Sequence, residues 1–233
     1  MGSLRQQLVS SRIGEIVLGT VLGDGHLASL QSGVRLEIGH SENQKEYVFW
    51  KYKELGSLVN TNPHRIVIED SRYQKTYYQW RFKSKIDPLL LPFHKYFYGH
   101  SGKKEIRKNM NLILTSPLTL AVWFMDDGGR RNDSYGMFLN SLSFSKEENN
   151  ILCECLNQNF SLSPRVHWVQ DGYRLYIPSG DVKKFCEIIY PHIIPSMRYK
   201  LSYNPVTTSF ARLDRARDRG KSKKVKTERK TLL

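Results

Sequence analysis

Val17-Leu18-Gly19-Thr20-Val21-Leu22-Gly23-Asp24-Gly25 and Leu120-Ala121-Val122-Trp123-Phe124-Met125-Asp126-Asp127-Gly128 decide how this chain is read. Each is a helical run too apolar for a surface, and each ends in a carboxylate followed by glycine. The glycine suits the left-handed conformation that closes many helices. A carboxylate at a helix C-terminus meets the negative end of the helix dipole, an unfavourable placement unless a cation is nearby. One Asp-Gly after an apolar run is an ordinary helix end or tight turn. Two of them in matched positions point to a shared cation site.

Outward from these runs, the second half reads as a degenerate copy of the first. Ser41, expected to start a helix, follows Asp24 by 17 residues, and Ser145 follows Asp127 by 18. Pro63 lies 39 residues after Asp24, and Pro164 lies 37 after Asp127. Each proline opens a basic β-patterned segment, Pro63-His64-Arg65-Ile66-Val67-Ile68 or Pro164-Arg165-Val166-His167-Trp168-Val169. The match is too weak for a solenoid and implies a duplicated unit with an internal two-fold. Within each copy the order reads helix, two strands, helix, two strands, helix.

Local signals support that order. Ser116-Pro117 is a helix start, with serine as N-cap and proline at the first helical position. Ser145-Lys146-Glu147-Glu148 is a capping box opening a helix over 146–159, whose apolar stripe is Ile151, Leu152, Cys155, Leu156 and Phe160. Strands are expected at 34–38, 77–83, 137–140 and 173–177. Alternation along 77–83 puts Tyr77, Gln79, Arg81 and Lys83 on one face and Tyr78, Trp80 and Phe82 on the other. Such a polar face suits nucleic acid, because these side chains reach base edges and phosphates, although a solvated sheet face has the same composition. Further candidate contacts are Arg35, Glu37 and Arg65 in the first half, with Asn140, Arg165, His167, Arg174 and Tyr176 in the second.

Composition bounds the function. The 233-residue chain can bury a substantial core, and its net charge is +14. Residues 211–233 hold ten Lys/Arg against three acids, with few apolar residues, so they are expected to stay flexible. An excess of this size favours a polyanionic partner such as nucleic acid; a solvated, solubilising tail is the plainer alternative for the last segment. Cys153, Cys155 and Cys186 form no CxxC pair, and no histidine pair has zinc-ligand spacing. With no apolar run long enough for a membrane span, the expectation is a soluble intracellular protein of a reducing compartment.

The chemistry follows from the paired acids. Gly19 and Gly23 are four apart, on one helix face, and allow another backbone to approach closely, with Ala121 expected to serve the same purpose on the second helix. Packing the two helices together would bring Asp24 and Asp127 close, and two adjacent carboxylates must share a proton or bind metal. Hard oxygen ligands favour Mg²⁺ (or Mn²⁺), which supports metal-assisted phosphodiester hydrolysis.

The two runs resemble the paired helices of LAGLIDADG homing endonucleases in their single-chain, two-motif form. Trp123-Phe124-Met125-Asp126-Asp127-Gly128-Gly129 is similar to the second motif of the omega-type mitochondrial intron endonuclease branch. Further similarities are Leu139-Asn140-Ser141 with Ser143-Phe144-Ser145 and Glu147-Glu148, and Ile194-Pro195 leading to Met197-Arg198-Tyr199-Lys200-Leu201. The resemblance covers roughly residues 11–205. It implies an α+β fold of two αββαββα units, whose four-stranded antiparallel sheets form a saddle over the DNA major groove. It further implies metal held by Asp24 and Asp127, and a basic residue facing each scissile phosphate, at Lys104 and Lys200. A longer stretch than the family pattern follows the second strand, at Gly39-His40-Ser41-Glu42.

The expected organisation is a first half at 1–100, a linker at 101–115, a second half at 116–205 and a basic tail at 206–233. The expected activity is a monomeric, site-specific endonuclease cutting a long asymmetric double-stranded DNA target, in an organelle or a prokaryotic cytoplasm. The alternatives are an RNA-splicing maturase, which would bind RNA, and a non-catalytic DNA-binding protein on the same scaffold.

Overall fold

The computed structural model describes residues 3–72, 74–99, 102–170 and 172–213. After a short helix α1 (Leu4–Leu8), the first unit runs α2 (Arg12–Leu22), β1 (His26–Leu30), β2 (Gly33–Ser41), α3 (Lys45–Leu55), β3 (His64–Asp70), β4 (Lys75–Lys83) and α4 (Leu90–Phe97). The second runs α5 (Pro117–Asp127), β5 (Gly128–Arg130), β6 (Met137–Asn140), α6 (Lys146–Phe160), β7 (Arg165–Val169), β8 (Gly172–Ile177) and α7 (Val182–Ile189). The strand orders are β1-β2-β4-β3 and β5-β6-β8-β7, antiparallel throughout. This is the α+β arrangement of duplicated αββαββα units. A short hairpin, β9 (Tyr203–Asn204) and β10 (Ser209–Phe210), follows. Among the described residues no helix is long and apolar enough to cross a membrane.

Two helix starts form as the sequence dictates. Ser116 Oγ accepts from Leu118 N, with Pro117 in the first turn. Ser145 Oγ accepts from Glu148 N at 3.2 Å, and Glu148 Oε2 accepts from Ser145 N at 2.7 Å. Ser41 behaves differently. It ends β2, its side chain caps nothing, and a 3-10 turn (Glu42–Gln44) separates it from α3. The extra residues after the second strand are therefore absorbed by a longer β2.

Residues 102–115 run between the halves as packed chain. Tyr98 bridges to Lys104, Met110, Ile113 and Leu114 are fully buried, and Asn159 Nδ2 donates to the carbonyls of Asn111 and Leu114, each at 2.8 Å. Residues 214–233, most of the basic tail, lie outside the described residues.

Helices α2 and α5 cross at the centre, and α5 is apolar all round because it is buried from Leu118 to Asp126. A Cβ at Gly19 would lie 2.6 Å from Thr119 O and 2.7 Å from Val122 Cβ, and one at Gly23 would run into Asp126 Cβ. The close approach expected of Ala121 is thus made by Thr119 and Val122. The motif glycines also work differently from expectation. Gly23 has φ −94° and Gly128 φ −81°, and Gly25 is not in the left-handed region either. They are required by space: a Cβ would strike Thr20 at Gly25 and Phe124 at Gly128.

Candidate active site

The crossing of α2 and α5 brings both motif ends to one place. Asp24 N donates to Asp126 Oδ2 at 3.2 Å, and Asp24 and Asp127 both line a cavity of about 250 Å³ together with Leu22, Gly23 and residues 140–144. Their environments differ. The Asp24 side chain is about half exposed (47 %), with His40 Nδ1 3.4 Å from its carboxylate. Burial raises its pKa, but the His40 hydrogen bond and charge, with Lys51 and Lys200, outweigh that and leave it below the usual value. Asp127 is pushed up to about 8 by burial and by the charges of Asp24 and Asp126, which together overcome Lys104 and Lys200.

The two lysines fall where the helix ends need cations. Lys104 Nζ donates to the carbonyls of Gly23 (2.9 Å) and Gly25 (3.1 Å). Lys200 Nζ donates to those of Met125 (2.5 Å) and Asp126 (2.8 Å). Gly23 and Asp126 each directly precede a motif acid, so the lysines occupy near-equivalent places in the two halves. Burial lowers both lysine pKa values, against the raising charges of Asp24, Asp126 and Asp127.

Three further residues, Lys51, His40 and Asp126, were not identified as site residues from sequence. Lys51 is completely buried in α3, and its Nζ contacts Asp126 Oδ1 at 2.6 Å and Oδ2 at 2.9 Å. His40 is buried between the acids, its Nε2 3.6 Å from Asp126 Oδ1 and 3.4 Å from Lys51 Nζ. A signal existed for two of them. Lys51 shares the helical stripe of Tyr47, Val48 and Leu55, and His40 continues the inward alternation of Val34, Leu36 and Ile38. A polar residue on an apolar stripe needs a buried partner.

Asp24, His40 and Asp126 bring ligand atoms within 4.8 Å of one another. Asp126, however, already accepts from Lys51 through both oxygens and from the Asp24 amide, which leaves it poorly disposed to ligate an ion. The better donors are Asp24, which is accessible, and Asp127, whose pKa is raised by burial and then by the neighbouring carboxylates, a repulsion that a cation would offset. Two carboxylates on one cavity fit a hard divalent cation.

Flanking this centre, the first sheet turns one face outward. Register pairs Glu37 with Lys83, Gly39 with Arg81 and Ser41 with Gln79, so Arg35, Glu37, Tyr77, Gln79, Arg81 and Lys83 share that face. A cavity of about 680 Å³ runs over it and includes Asp24, Glu37, Gln79, Arg81 and Lys83. Arg65 is the exception. It pairs with Trp80, so it points to the opposite face, where it bonds Glu42 Oε2 at 2.7 Å and lies 3.8 Å over the Tyr78 ring. His64 and Ile66 take the outward positions, because a one-residue shift along a strand exchanges its faces. In the second sheet the pairings Asn140–Arg174, Arg165–Tyr176 and His167–Arg174 put all five expected residues on one face. There His167 stacks on Tyr176 at 4.7 Å, and Arg174 lies 4.6 Å over Phe138.

Comparison with known proteins agrees with this geometry. The chain is 27% identical over 198 residues to a "Probable intron-encoded endonuclease 1" of Wickerhamomyces canadensis, covering 82% of this chain and 84% of that one. It is 28% identical to the cytochrome b mRNA maturase bI2 of Debaryomyces hansenii, covering 80% of this chain and 72% of that one. Among solved structures, the homing endonuclease I-WcaI bound to its DNA recognition sequence superposes with a TM-score of 0.77 at 27% identity, covering 86% of this chain and 91% of that one. The family model for the LAGLIDADG DNA endonuclease family matches residues 14–185, which span both motif helices and both sheets. The chain belongs to the LAGLIDADG DNA endonuclease family.

Proposed function

We propose that this chain is a site-specific homing endonuclease that makes a double-strand break in a long, asymmetric DNA target as a monomer. The observation that carries this reading is the convergence of Asp24 and Asp127 on one cavity, each helix end braced by a lysine, between two outward polar sheet faces. Asp24 and Asp127 would hold a divalent cation, Mg²⁺ or Mn²⁺, which supplies charge neutralisation for phosphodiester hydrolysis. An ammonium has three donors, and Lys104 and Lys200 each use two on backbone carbonyls at the motif ends. The third donor of each is left for a phosphate oxygen or a water, where it stabilises the charge that builds on the phosphate. The sheets differ at corresponding positions, with His64 and Ile66 in one matched by Arg165 and His167 in the other, so the two half-sites differ as well. Three free cysteines fit a reducing compartment, organellar or prokaryotic.

The test is incubation of purified protein with a plasmid library of random long inserts, with and without Mg²⁺. Recovery of one family of cut sequences only with metal supports the reading; intact library at all metal concentrations overturns it. Similarity to a maturase favours RNA splicing as the second reading. It predicts metal-independent binding of an intron RNA and no DNA cutting.

A further inference from the structure

The pseudo-two-fold breaks at the helix crossing. The position before the first motif acid is Gly23, and the position before the second is Asp126. A side chain therefore reaches across in one direction only. Asp24 lies beyond the end of α2, and Asp126, from the second half, accepts from its backbone amide; Asp127 is still within α5, its amide held by the helix, and Gly23 has no side chain with which to reach it in return. The reaching carboxylate is itself held. Lys51, a first-half residue, grips both of its oxygens from a fully buried position, and His40 lies against Lys51, Asp126 and Asp24. A buried, unpaired ammonium or carboxylate would be costly, so each fixes the other in place.

We propose that Lys51 and Asp126 are positioning residues that form a one-sided strut, fixing the Asp24 backbone and leaving Asp127 without an equivalent, so that the two strand-cleavage steps are intrinsically unequal. The proposal rests on the endonuclease reading and specifies a residue pair that this chemistry depends on without contacting the phosphate. Pre-set geometry at a reacting centre matters because small displacements there cost large factors in rate. The strut thus acts on one centre more than on the other.

The test compares two double variants that remove both buried charges together, which avoids an orphaned ion. K51M/D126A lacks the acceptor for the Asp24 amide, and K51M/D126N keeps one. Nicking rates of the two strands are measured on a supercoiled target at saturating Mg²⁺ and protein, with target affinity measured in parallel. K51M/D126A is expected to shift the ratio of the two strand rates at least tenfold and to accumulate nicked circle. K51M/D126N is expected to restore that ratio to within about threefold of wild type. Equal slowing of both strands in both variants, as loss of folded protein would give, overturns the proposal. A second readout needs no variant and no cleavage. Hydrogen exchange at the Asp24 amide of the native protein should be protected at least tenfold over an unstructured chain, and exchange at the free rate overturns the strut. If wild-type protein cuts no DNA, the endonuclease reading fails while this exchange measurement still decides the strut.

Discussion

Asp24 and Asp127 sit on one cavity in unlike surroundings, one accessible and depressed, the other enclosed and raised to about 8. Asp24→Asn and Asp127→Asn change volume little and each remove one carboxylate of the proposed metal site. Both should abolish double-strand cutting while target binding survives, read by plasmid cleavage beside a gel-shift titration; near-normal cutting by both variants would remove these acids from the mechanism. Lys104→Met and Lys200→Met should each slow cleavage by roughly 10²–10³-fold, the usual loss for one electrostatic donor. The more buried Lys200 should also show a lower melting temperature when replaced, since two carbonyls at the end of α5 lose their donor. Unchanged single-turnover rates at saturating protein would reduce both lysines to helix caps. Arg65 and Arg81 offer a contrast set by register alone. Arg81→Ala should weaken target binding by about 1–3 kcal/mol if it reads a base. Arg65→Ala, on the other face with an exposed ion pair to Glu42, should leave binding within about threefold.

At the level of elements, the helix crossing is the tightest constraint. Gly19→Ala puts a Cβ against Thr119 O and Val122, a fixed carbonyl and a buried side chain, so overpacking should cost about 1–3 kcal/mol in denaturant unfolding. A neutral result would mean that α2 and α5 slide apart freely. Much of this architecture was readable beforehand because its causes are local. The capping box at Ser145, the Ser116-Pro117 start and the alternation of 77–83 are decided within a few residues, and each formed where expected. What escaped reading depends on distant chain. Ser41 looks like a cap, yet β2 carries on through it because Trp80 and Gln79 of β4 pair with His40 and Ser41. Arg65 is expected as a DNA contact, yet a single residue's offset turns it to the other face, since its proline marks where the segment begins and only pairing with β4 sets its orientation. Gly25 and Gly128 look like left-handed caps, but neighbouring side chains across each turn set their need for space. Lys51 and Asp126 are 75 residues apart, and no local pattern joins them.

For the molecule as a whole, charge and shape make separable contributions to DNA binding. Ten basic residues in 211–233 form no apolar periodicity, so they are expected to act through counterion release rather than base reading. Truncation after Leu213 spares the bond from Ala211 N to Ser202 O. It should weaken binding to target and random DNA by similar factors and flatten the salt slope by about 0.9 per lost phosphate contact. The cleavage position should not move; a changed cut site would place the tail on the reading surface, and an unchanged slope would leave it a solubilising role. The seam between the halves also makes them non-interchangeable. A homodimer of either half would have to rebuild this crossing from one set of residues. Two first halves would set Gly23 against Gly23 and leave a hole where the Asp126 side chain now packs. Two second halves would set Asp126 against Asp126, without the Lys51 that only the first half brings to that spot. Each half supplies what a second copy of the other would lack at this seam, so neither is expected to rebuild the crossing as a homodimer.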